Sequence, residues 1–332
     1  MFSLQFFWLV FKICSLNEIF ISTVLMKKTS FILLLIVSNY IFAQQKSLVL
    51  ASEKPLLYLS LGEYGPLLEN YAKINNFIKV GFVNDVQFFG KTPYSYDPAL
   101  LTAEIERVAP NKNQSGLAFI DLEGENLDNI MNMGTQIESF KKSLKLYIDV
   151  IKFAKKLRPN MRWGYYSIPY TAFWNRNPDF YGKLKKIEPL IKECDVFFPS
   201  LYTFYEDKDW GSENKKYVIE NTKEMVKVGQ YYNKPVIIFV WHRYHPSNQK
   251  LSEEALPNKV FLTQIERIVK TSYLGKKVDG IVWWGADDYS FRQNIKGVVK
   301  EFKGTDKKYK LYNDKVLLVK AKKIKKLLDT NK

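Results

Sequence analysis

Two acidic residues one position apart, Asp121 and Glu123, follow an apolar run in the segment GLAFIDLEGEN, residues 116–126. Side chains alternate along a β-strand, so residues two positions apart point to the same face. Two carboxylates this close raise each other's pKa, which allows one to stay protonated while the other is ionised. The pair is a candidate for general acid–base catalysis, and a capping or salt-bridging pair is the alternative. Glu125 and Asp128 are expected beyond the strand, in solvent.

Glycoside hydrolysis commonly depends on two carboxylates. Asp121 and Glu123 lie too close together for the usual arrangement of a nucleophile and an acid across a sugar. Their spacing suits substrate assistance, in which the N-acetyl group of the sugar attacks the anomeric carbon. Glu123 would then protonate the leaving oxygen, Asp121 would orient the acetamido nitrogen, and a tyrosine hydroxyl would hold the acetamido oxygen.

Apolar runs that alternate with amphipathic segments predict the scaffold. Strands are predicted at residues 77–83, 117–122, 162–166, 195–198, 235–241 and 280–284, with one or two more before residue 77. Helices are predicted at residues 135–157, 179–192, 213–232, 256–273 and 291–302. This order implies a parallel sheet, and no phosphate-binding glycine loop follows any strand. The prediction is an α/β fold, a distorted (β/α) TIM-type barrel with seven or eight strands.

The chemistry of such a barrel lies at the carboxyl ends of its strands. The predicted ends share acids, tyrosines and tryptophans, a composition typical of a carbohydrate cleft: Asp121-Leu122-Glu123, Ser167-Ile168-Pro169-Tyr170, Pro199-Ser200-Leu201-Tyr202, Trp241-His242-Arg243-Tyr244 and Trp284-Gly285-Ala286-Asp287-Asp288. No Ser or Cys stands in a nucleophile turn, so His242 and His245 are interpreted as surface or structural residues.

Five segments occur in an order that resembles the hyaluronidase family, glycoside hydrolase family 56: GLAFIDLEGE, RWGYYSIPY, CDVFFPSLY, FVWHRYHPSNQKLSEEAL and DGIVWWGADD. The resemblance extends from residue 116 to about residue 290. It implies a distorted (β/α) barrel that cleaves β-linked N-acetylhexosaminides by substrate assistance.

The resemblance also implies roles for single residues. Glu123 resembles the acid/base of the family, and Asp121 resembles the partner that positions the acetamido group. Tyr202 resembles the tyrosine that binds the acetamido oxygen. Trp284 resembles the tryptophan beneath the reacting sugar, although a core tryptophan is an equal alternative. Trp241 is a further substrate-binding candidate.

Two other candidates carry open alternatives. Asp287 could bind a sugar hydroxyl or, with Asp288, could cap the following helix. The second cleft tyrosine of the family is missing from the segment Tyr170-Thr171-Ala172-Phe173-Trp174-Asn175, and Tyr170 or Trp174 is expected to substitute for it. The aromatic-basic segment that follows the family's catalytic glutamate is replaced here by Gly124-Glu125-Asn126, which bears on cleft length and on preference for hyaluronan.

Composition limits the partners and cofactors. The 332 residues are 46% hydrophobic and 25% charged, as in a folded chain, and the net charge is +16. Such a charge favours polyanions in general, and a lysine-rich composition without a partner is the alternative. We expect an acidic polysaccharide, a glycosaminoglycan, and no nucleic acid. Two His and the one Cys outside the predicted leader make a closed zinc site improbable, so no metal or cofactor is expected.

Residues 1–43 are predicted to be a leader with a signal peptide. MKKTSFILLLIVSNYIFAQQ, from Met26, has two lysines, an apolar run too short for a comfortable membrane span, and an acceptable cleavage site after Ala43. Met26 is the expected start, whereas initiation at Met1 would allow an uncleaved anchor. The protein is expected to be exported, periplasmic or extracellular, with no stable membrane span after cleavage. The mature chain keeps one cysteine, Cys194, and therefore no internal disulfide.

The other regions are a single catalytic barrel, residues 44–303, and a basic C-terminal tail or helix, residues 304–332. The tail places Leu317, Ala321, Ile324 and Leu328 on one helical face. A helix docked on the barrel is favoured over one that contacts a membrane or polyanion.

The sequence therefore predicts an exported glycoside hydrolase of hyaluronidase type. It would cleave internal β-linked N-acetylhexosaminide bonds in hyaluronan- or chondroitin-like polymers with retention of configuration. The alternatives are a substrate-assisted hydrolase of chitin or peptidoglycan sugars and a non-catalytic carbohydrate-binding barrel.

Overall fold

The computed structural model of this chain describes residues 55–330. They contain seven β-strands: β1 (Leu56–Leu61), β2 (Ile78–Lys79), β3 (Gly81–Asn84), β4 (Gly116–Asp121), β5 (Met161–Tyr165), β6 (Ile237–Trp241) and β7 (Gly280–Gly285). They also contain eleven α-helices: α1 (Pro66–Ile74), α2 (Pro98–Val108), α3 (Glu125–Asn132), α4 (Glu138–Leu157), α5 (Pro178–Gly182), α6 (Glu188–Glu193), α7 (Asp207–Tyr232), α8 (Asn258–Lys270), α9 (Asp287–Arg292), α10 (Lys296–Val299) and α11 (Asp306–Thr330). The predicted leader lies outside the described residues.

The strands form two parallel sheets, in the orders β2-β1-β7-β6 and β3-β4-β5. The segment 195–201 joins them, although it forms no regular strand. Phe198 in this segment bridges Tyr166, which follows β5, and Ser200 bridges Phe239 in β6, both in parallel orientation. The predicted strand at residues 195–198 is therefore present as single bridges and not as a continuous ladder.

The two sheets also meet at β2 and β3, which are consecutive pieces of one extended segment. Val80 lies between the two pieces, and its amide donates to the carbonyl of Leu59 in β1 at 3.0 Å. The β2 piece pairs with β1, and the β3 piece pairs with β4. The pairings thus form a ring of seven strand positions, which we call staves: β1, the β2–β3 segment, β4, β5, the segment 195–201, β6 and β7. This ring confirms the predicted (β/α) barrel. The barrel is distorted because one stave is irregular and another is divided between the two sheets.

Aromatic side chains fill the centre of the barrel. Phe119 of β4 stacks on Phe82 of β3 with ring centroids 5.1 Å apart. It also meets Phe239 edge to face at 4.8 Å and Phe198 at 6.1 Å. Phe119, Phe198 and Phe239 are fully buried. Rings from β3, β4, the segment 195–201 and β6 meet here, so aromatic side chains pack the middle of the barrel, and Phe82 and Phe119 also border the cavity described below.

Two predicted helices are interrupted, and three helices, α1, α2 and α3, were not predicted. The region 179–192 consists of α5, a 3-10 helix (Lys183–Ile187) and α6, because Pro189 cannot continue a helix from the preceding turn. The region 291–302 is divided at Asn294, whose φ of 56° is left-handed. Helix α3 begins directly after Gly124, so Glu125 and Asp128 lie in a helix, although both remain exposed as expected.

Helix α11 docks on the barrel through its apolar face. Leu317, Ala321, Ile324 and Leu328 are all buried, which agrees with the docked-helix interpretation. The helix also stabilises the start of α1, since Asp314 accepts hydrogen bonds from the amides of Leu67 and Leu68 at 2.9 and 3.0 Å. Among residues 55–330, no helix combines the length and apolar character needed to cross a lipid bilayer.

Candidate active site

A cavity of about 1290 Å³ opens at the carboxyl ends of the strands. It extends along β4, from Gly116 at the start of the strand to Asp121 at its end. Five of the predicted site residues line it: Asp121, Glu123, Tyr202, Trp241 and Trp284. Acids and aromatic side chains that follow four different strand positions thus meet in one cavity, as expected from their places at strand ends.

Packing beneath the strand end positions the two carboxylates. Asp121 is the last residue of β4, and Leu122, which follows it, is buried. The hydroxyl of Tyr147 in α4 donates to the carbonyl of Leu122, which ties the strand end to the helix beneath it. Gly124 then reverses the chain into α3 with a φ of 61°, a conformation that favours glycine. Glu123 is thus presented between a fixed strand end and a tight turn.

A third carboxylate, Asp85, belongs to the same cluster and was not predicted from the sequence. It begins the 3-10 helix that follows β3, and its Oδ2 accepts a hydrogen bond from the amide of Glu123 at 3.3 Å. The last residue of β3, Asn84, pairs in register with Asp121. Asp85 directly follows the observed end of β3 at Asn84, whereas the predicted strand ended at residue 83, so its position at a strand end was not recognised.

The three carboxylates are all harder to ionise than usual. Burial, with the neighbouring charges of Glu123 and Asp85, raises the pKa of Asp121 to about 8. Burial and the charge of Asp85 raise the pKa of Glu123, and burial raises that of Asp85. Glu123 is open to solvent within the cavity, yet the surrounding protein reduces the solvation of its charge. The cluster therefore holds at least one proton near neutral pH, as a general acid requires.

Aromatic side chains form the wall of the cavity near the acids. The Tyr202 ring is stacked near Trp284, with centroids 5.8 Å apart and planes inclined by 29°. Trp241 meets Trp284 edge to face at 4.6 Å. Within residues 55–330, the indole N–H of Trp241 and the Oδ1 of Asp121 are buried without a hydrogen-bond partner. A ligand in the cavity could satisfy both atoms, one as donor and one as acceptor.

Two predicted site residues, Asp287 and Tyr170, do not line the cavity. Asp287 is buried beneath the rim, where its Oδ1 accepts from Arg243 Nε at 2.6 Å and lies 3.1 Å from His242 Nε2. These partners hold the pKa of Asp287 well below its usual range. The capping alternative is also wrong, because neither Asp287 nor Asp288 caps α9 and Asp288 instead pairs with Arg292 at 3.1 Å.

The expected substitutes for the missing tyrosine also lie elsewhere. Tyr170 is buried outside the cavity lining, and Trp174 is an exposed residue on the rim. Tyr166, which directly follows β5, lines the cavity instead, and its hydroxyl donates to Ser200 Oγ at 3.1 Å. Its ring lies 5.9 Å from that of Tyr202. The sequence could have indicated Tyr166, because side chains alternate along a strand. Of the two tyrosines at the Gly-Tyr-Tyr end of β5, one is therefore expected to point into the barrel and the other away from it.

The two histidines occupy different environments. His242 is buried, and its Nδ1 accepts a hydrogen bond from Trp283 Nε1 at 3.0 Å, which makes it structural as interpreted. His245 lines the cavity, with its ring 6.0 Å from that of Tyr202. In the part of the chain that the structure describes, no group of three or more His, Cys, Asp or Glu side chains is arranged to hold a metal ion.

Comparison with known proteins identifies the family. The family model described as hyaluronidase, glycoside hydrolase family 56, matches residues 126–309, more than half of the chain. The chain belongs to the hyaluronidase family. The matched range starts just after Glu123 and includes the segments that carry Tyr202, Trp241 and Trp284.

Curated members of the hyaluronidase family match a large part of the chain. A hyaluronidase of Tabanus yao, Tab y 2.0101, is 26% identical over 248 residues, which cover 61% of this chain and 65% of the relative. A hyaluronidase of Polistes annularis is 24% identical over 221 residues, covering 55% of this chain and 57% of the relative. The chain thus spans between about half and two thirds of the length of these relatives.

Solved structures of the hyaluronidase family share the fold. The crystal structure of bee venom hyaluronidase aligns with a TM-score of 0.54 and 16% identity, covering 73% of this chain and 97% of the bee protein. The same enzyme in complex with a hyaluronic acid tetramer aligns with a TM-score of 0.53 at 16% identity, covering 74% and 97%. At this identity the likeness supports the distorted barrel, independently of the ring of strand pairings.

Proposed function

We propose that this member of the hyaluronidase family is an exported glycoside hydrolase. It cleaves internal β-linked N-acetylhexosaminide bonds in a hyaluronan- or chondroitin-like polymer, with retention of configuration. The observation that carries the proposal is the carboxylate cluster, in which Asp121 and Glu123 have raised pKa values inside a cavity walled by Tyr202 and Trp284. A carboxylic acid that keeps its proton near neutral pH, with a second carboxylate beside it, suits substrate-assisted glycosidic cleavage, and the aromatic rings offer a surface for the sugar.

The proposed reaction has two steps. The acetamido oxygen of the sugar bonds to the anomeric carbon while the bond to the leaving oxygen breaks, and Glu123 gives its proton to that oxygen. Water then attacks the anomeric carbon while its bond to the acetamido oxygen breaks, which regenerates the acetamido group, and the Glu123 carboxylate accepts the proton of that water. Asp121 holds the acetamido N–H and stabilises the positive charge that develops there. Tyr202 holds the acetamido oxygen in position for attack, and Trp284 packs against the reacting sugar.

The substrate class and location of the protein follow from its charge, its leader and its relatives. A net charge of +16 attracts an acidic polymer, and a bee relative has been solved in complex with a hyaluronic acid tetramer. The signal-like segment from Met26 supports export. These points favour a glycosaminoglycan over the neutral sugars of chitin.

The test is digestion of hyaluronan and chondroitin by the chain from Gln44, beside Glu123→Gln and Glu125→Gln. Glu125 is a matched control, because it lies two residues further on, is exposed and contacts Tyr94 outside the cavity. We expect new reducing ends from the wild type and Glu125→Gln, and a loss of at least about 10³-fold in rate for Glu123→Gln.

Three outcomes would contradict the proposal in different ways. Equal cleavage by wild type and Glu123→Gln would remove Glu123 from the reaction. Cleavage of chitin or peptidoglycan but not of either glycosaminoglycan would correct the substrate class. No cleavage of any polymer by a folded wild type, together with unchanged sugar binding by Glu123→Gln, would favour a non-catalytic binding barrel.

A further inference from the structure

Two tryptophans lie side by side on the barrel rim, outside the cavity. Trp174 is 46% exposed and Trp210 is 40% exposed, and their ring centroids are 5.3 Å apart. Tyr205, which is half-buried, lies 6.0 Å from Trp174 and 5.2 Å from Trp210. We call these three residues the rim platform. Exposed apolar side chains are usually scattered singly, so adjacent exposed tryptophans indicate a contact surface.

A buried aromatic base supports the rim platform from below. Phe173 is 8% exposed and contacts Trp174 and Tyr205, each with ring centroids 4.7 Å apart. Phe173 also packs against Tyr217 of α7 at 5.0 Å. Phe173 is thus part of the packed core, whereas Trp174 and Trp210 keep much of their surface open to solvent. Because the base is packed, the platform is held in place before any ligand arrives.

The rim platform is continuous with the candidate active site. Its members follow β5 and the segment 195–201, which are neighbouring staves, at the carboxyl ends of both. Phe204 precedes Tyr205 and lies 4.9 Å from the His245 ring, and His245 lines the cavity 6.0 Å from Tyr202. A row of aromatic rings therefore leads from the cavity wall to the platform. A polymer that leaves the cavity on this side would pass over it.

The charges around the rim platform select against an acidic sugar. Glu206, Asp207 and Asp209 flank Trp210, and Lys208, the one cation among them, pairs with Glu206 at 3.1 Å. Arg176, near Trp174 in the chain, is engaged by Glu213 and Glu220. A uronate carboxylate would be repelled here, whereas the apolar face of an uncharged sugar can stack on an indole ring and its hydroxyls can accept from the indole N–H.

We propose that the rim platform is an additional sugar-binding subsite, which stacks an uncharged N-acetylhexosamine unit of the polymer whose bond is cleaved in the cavity. This inference rests on the proposed function for the identity of that polymer. The subsite adds affinity for long chains and makes no contact with the reacting sugar.

The first test compares the wild type with the double variant Trp174→Ala/Trp210→Ala and with Tyr231→Ala. Tyr231 is a matched control, since it is a 79% exposed aromatic residue at the other end of α7 from Trp210. We expect KM for long hyaluronan to rise about tenfold in the double variant, with kcat unchanged. KM for oligosaccharides too short to leave the cavity stays the same. The tenfold rise persists at high salt, because stacking is not a charge interaction.

The outcomes separate the subsite from simple damage to the fold. An unchanged KM for long hyaluronan, or an equal loss with Tyr231→Ala, overturns the inference. A fall in kcat on short and long substrates alike also overturns it, since that result assigns the residues to support of the cavity. Partial recovery with Trp174→Phe/Trp210→Phe supports it, because a smaller ring retains part of the stacking surface.

A binding measurement keeps the inference independent of turnover. The uncharged trimer of β-1,4-linked N-acetylglucosamine is titrated into the wild type and the double variant, with tryptophan fluorescence and saturation-transfer NMR as readouts. If the wild type cleaves no polymer but binds the trimer through Trp174 and Trp210, the subsite stands and the proposed function fails. If the wild type cleaves hyaluronan but its tryptophans neither bind the trimer nor affect KM, the subsite fails and the proposed function stands.

Discussion

Asp121 and Glu123 leave the same strand but are held differently, and this difference divides their proposed roles. Asp121 ends the strand, and its Oδ1 is buried without a partner in the described chain, which suits an acceptor waiting for an acetamido N–H. Glu123 lies two residues further on and is exposed within the cavity, where a leaving oxygen and then a water can reach it. Asp85 acts on both, since its charge raises the pKa of each.

The role of Asp85 can be measured by removing its charge and keeping its hydrogen bond. Asp85→Asn retains an oxygen that can accept from the amide of Glu123. The lost negative charge lowers the pKa of Glu123, so Glu123 gives up its proton at lower pH. We therefore expect the basic limb of the kcat/KM profile on hyaluronan to move to lower pH by roughly one unit. Asp128→Asn, an exposed change in α3, is the control, and a profile that coincides with the wild type would remove Asp85 from the electrostatics of the site.

At the scale of elements, one acid of α11 completes the start of α1. Gly65 at the N-cap of α1 offers no side chain, and Asp314 accepts from the amides of Leu67 and Leu68 in its place. A Cβ at position 65 would collide with the Asp314 carboxylate. The close contact between α1 and α11 therefore requires both Gly65, which leaves room for the carboxylate, and Asp314, which accepts the hydrogen bonds.

Loss of this long-range cap should destabilise the protein. Asp314→Ala leaves two helix amides without an acceptor, so we expect the free energy of unfolding to fall by about 1–3 kcal/mol. Asp329→Ala, an exposed change on the same helix, should alter it by less than about 0.5 kcal/mol. Urea denaturation of both variants gives the two values. Equal effects would mean that the Asp314 hydrogen bonds contribute nothing specific.

The elements also show what the sequence could predict. Strands β4 to β7 were predicted within two residues, because each is an apolar run buried between parallel neighbours. The interruptions were missed, since Pro189 and Asn294 act through local backbone geometry that a periodic apolar pattern does not register. In the site, Asp121 and Glu123 were predicted from the alternation of side chains and from their position at a strand end, and both line the cavity. The same reasoning was wrong for Asp287, because its burial depends on an ion pair with Arg243, which follows a different strand.

For the molecule as a whole, charge should govern the capture of the substrate. Six lysines of α11 are exposed and form no ion pair among the residues described: Lys307, Lys308, Lys315, Lys322, Lys323 and Lys326. They and the other surface cations attract an acidic polymer over a distance that salt reduces.

Salt therefore distinguishes an acidic from a neutral substrate. We expect KM for hyaluronan to rise by about three- to tenfold between low and physiological ionic strength, because screening weakens the attraction. KM for a neutral N-acetylglucosamine polymer, if it is cleaved, should change little. Steady-state kinetics over a salt series measure both. A KM for hyaluronan that does not depend on salt would show that the basic surface has no part in binding.

The contact between α1 and α11 has a consequence for how the protein is made. Strand β1 pairs with β7, and α1 receives its cap from Asp314, so the earliest elements of the barrel depend on partners synthesised more than two hundred residues later. A ribosome that has produced only the first half of the barrel holds a chain that cannot close. Export through a channel that accepts only unfolded chains, which the proposed function would involve, is favoured by this delay, because the barrel stays open while the chain is being made.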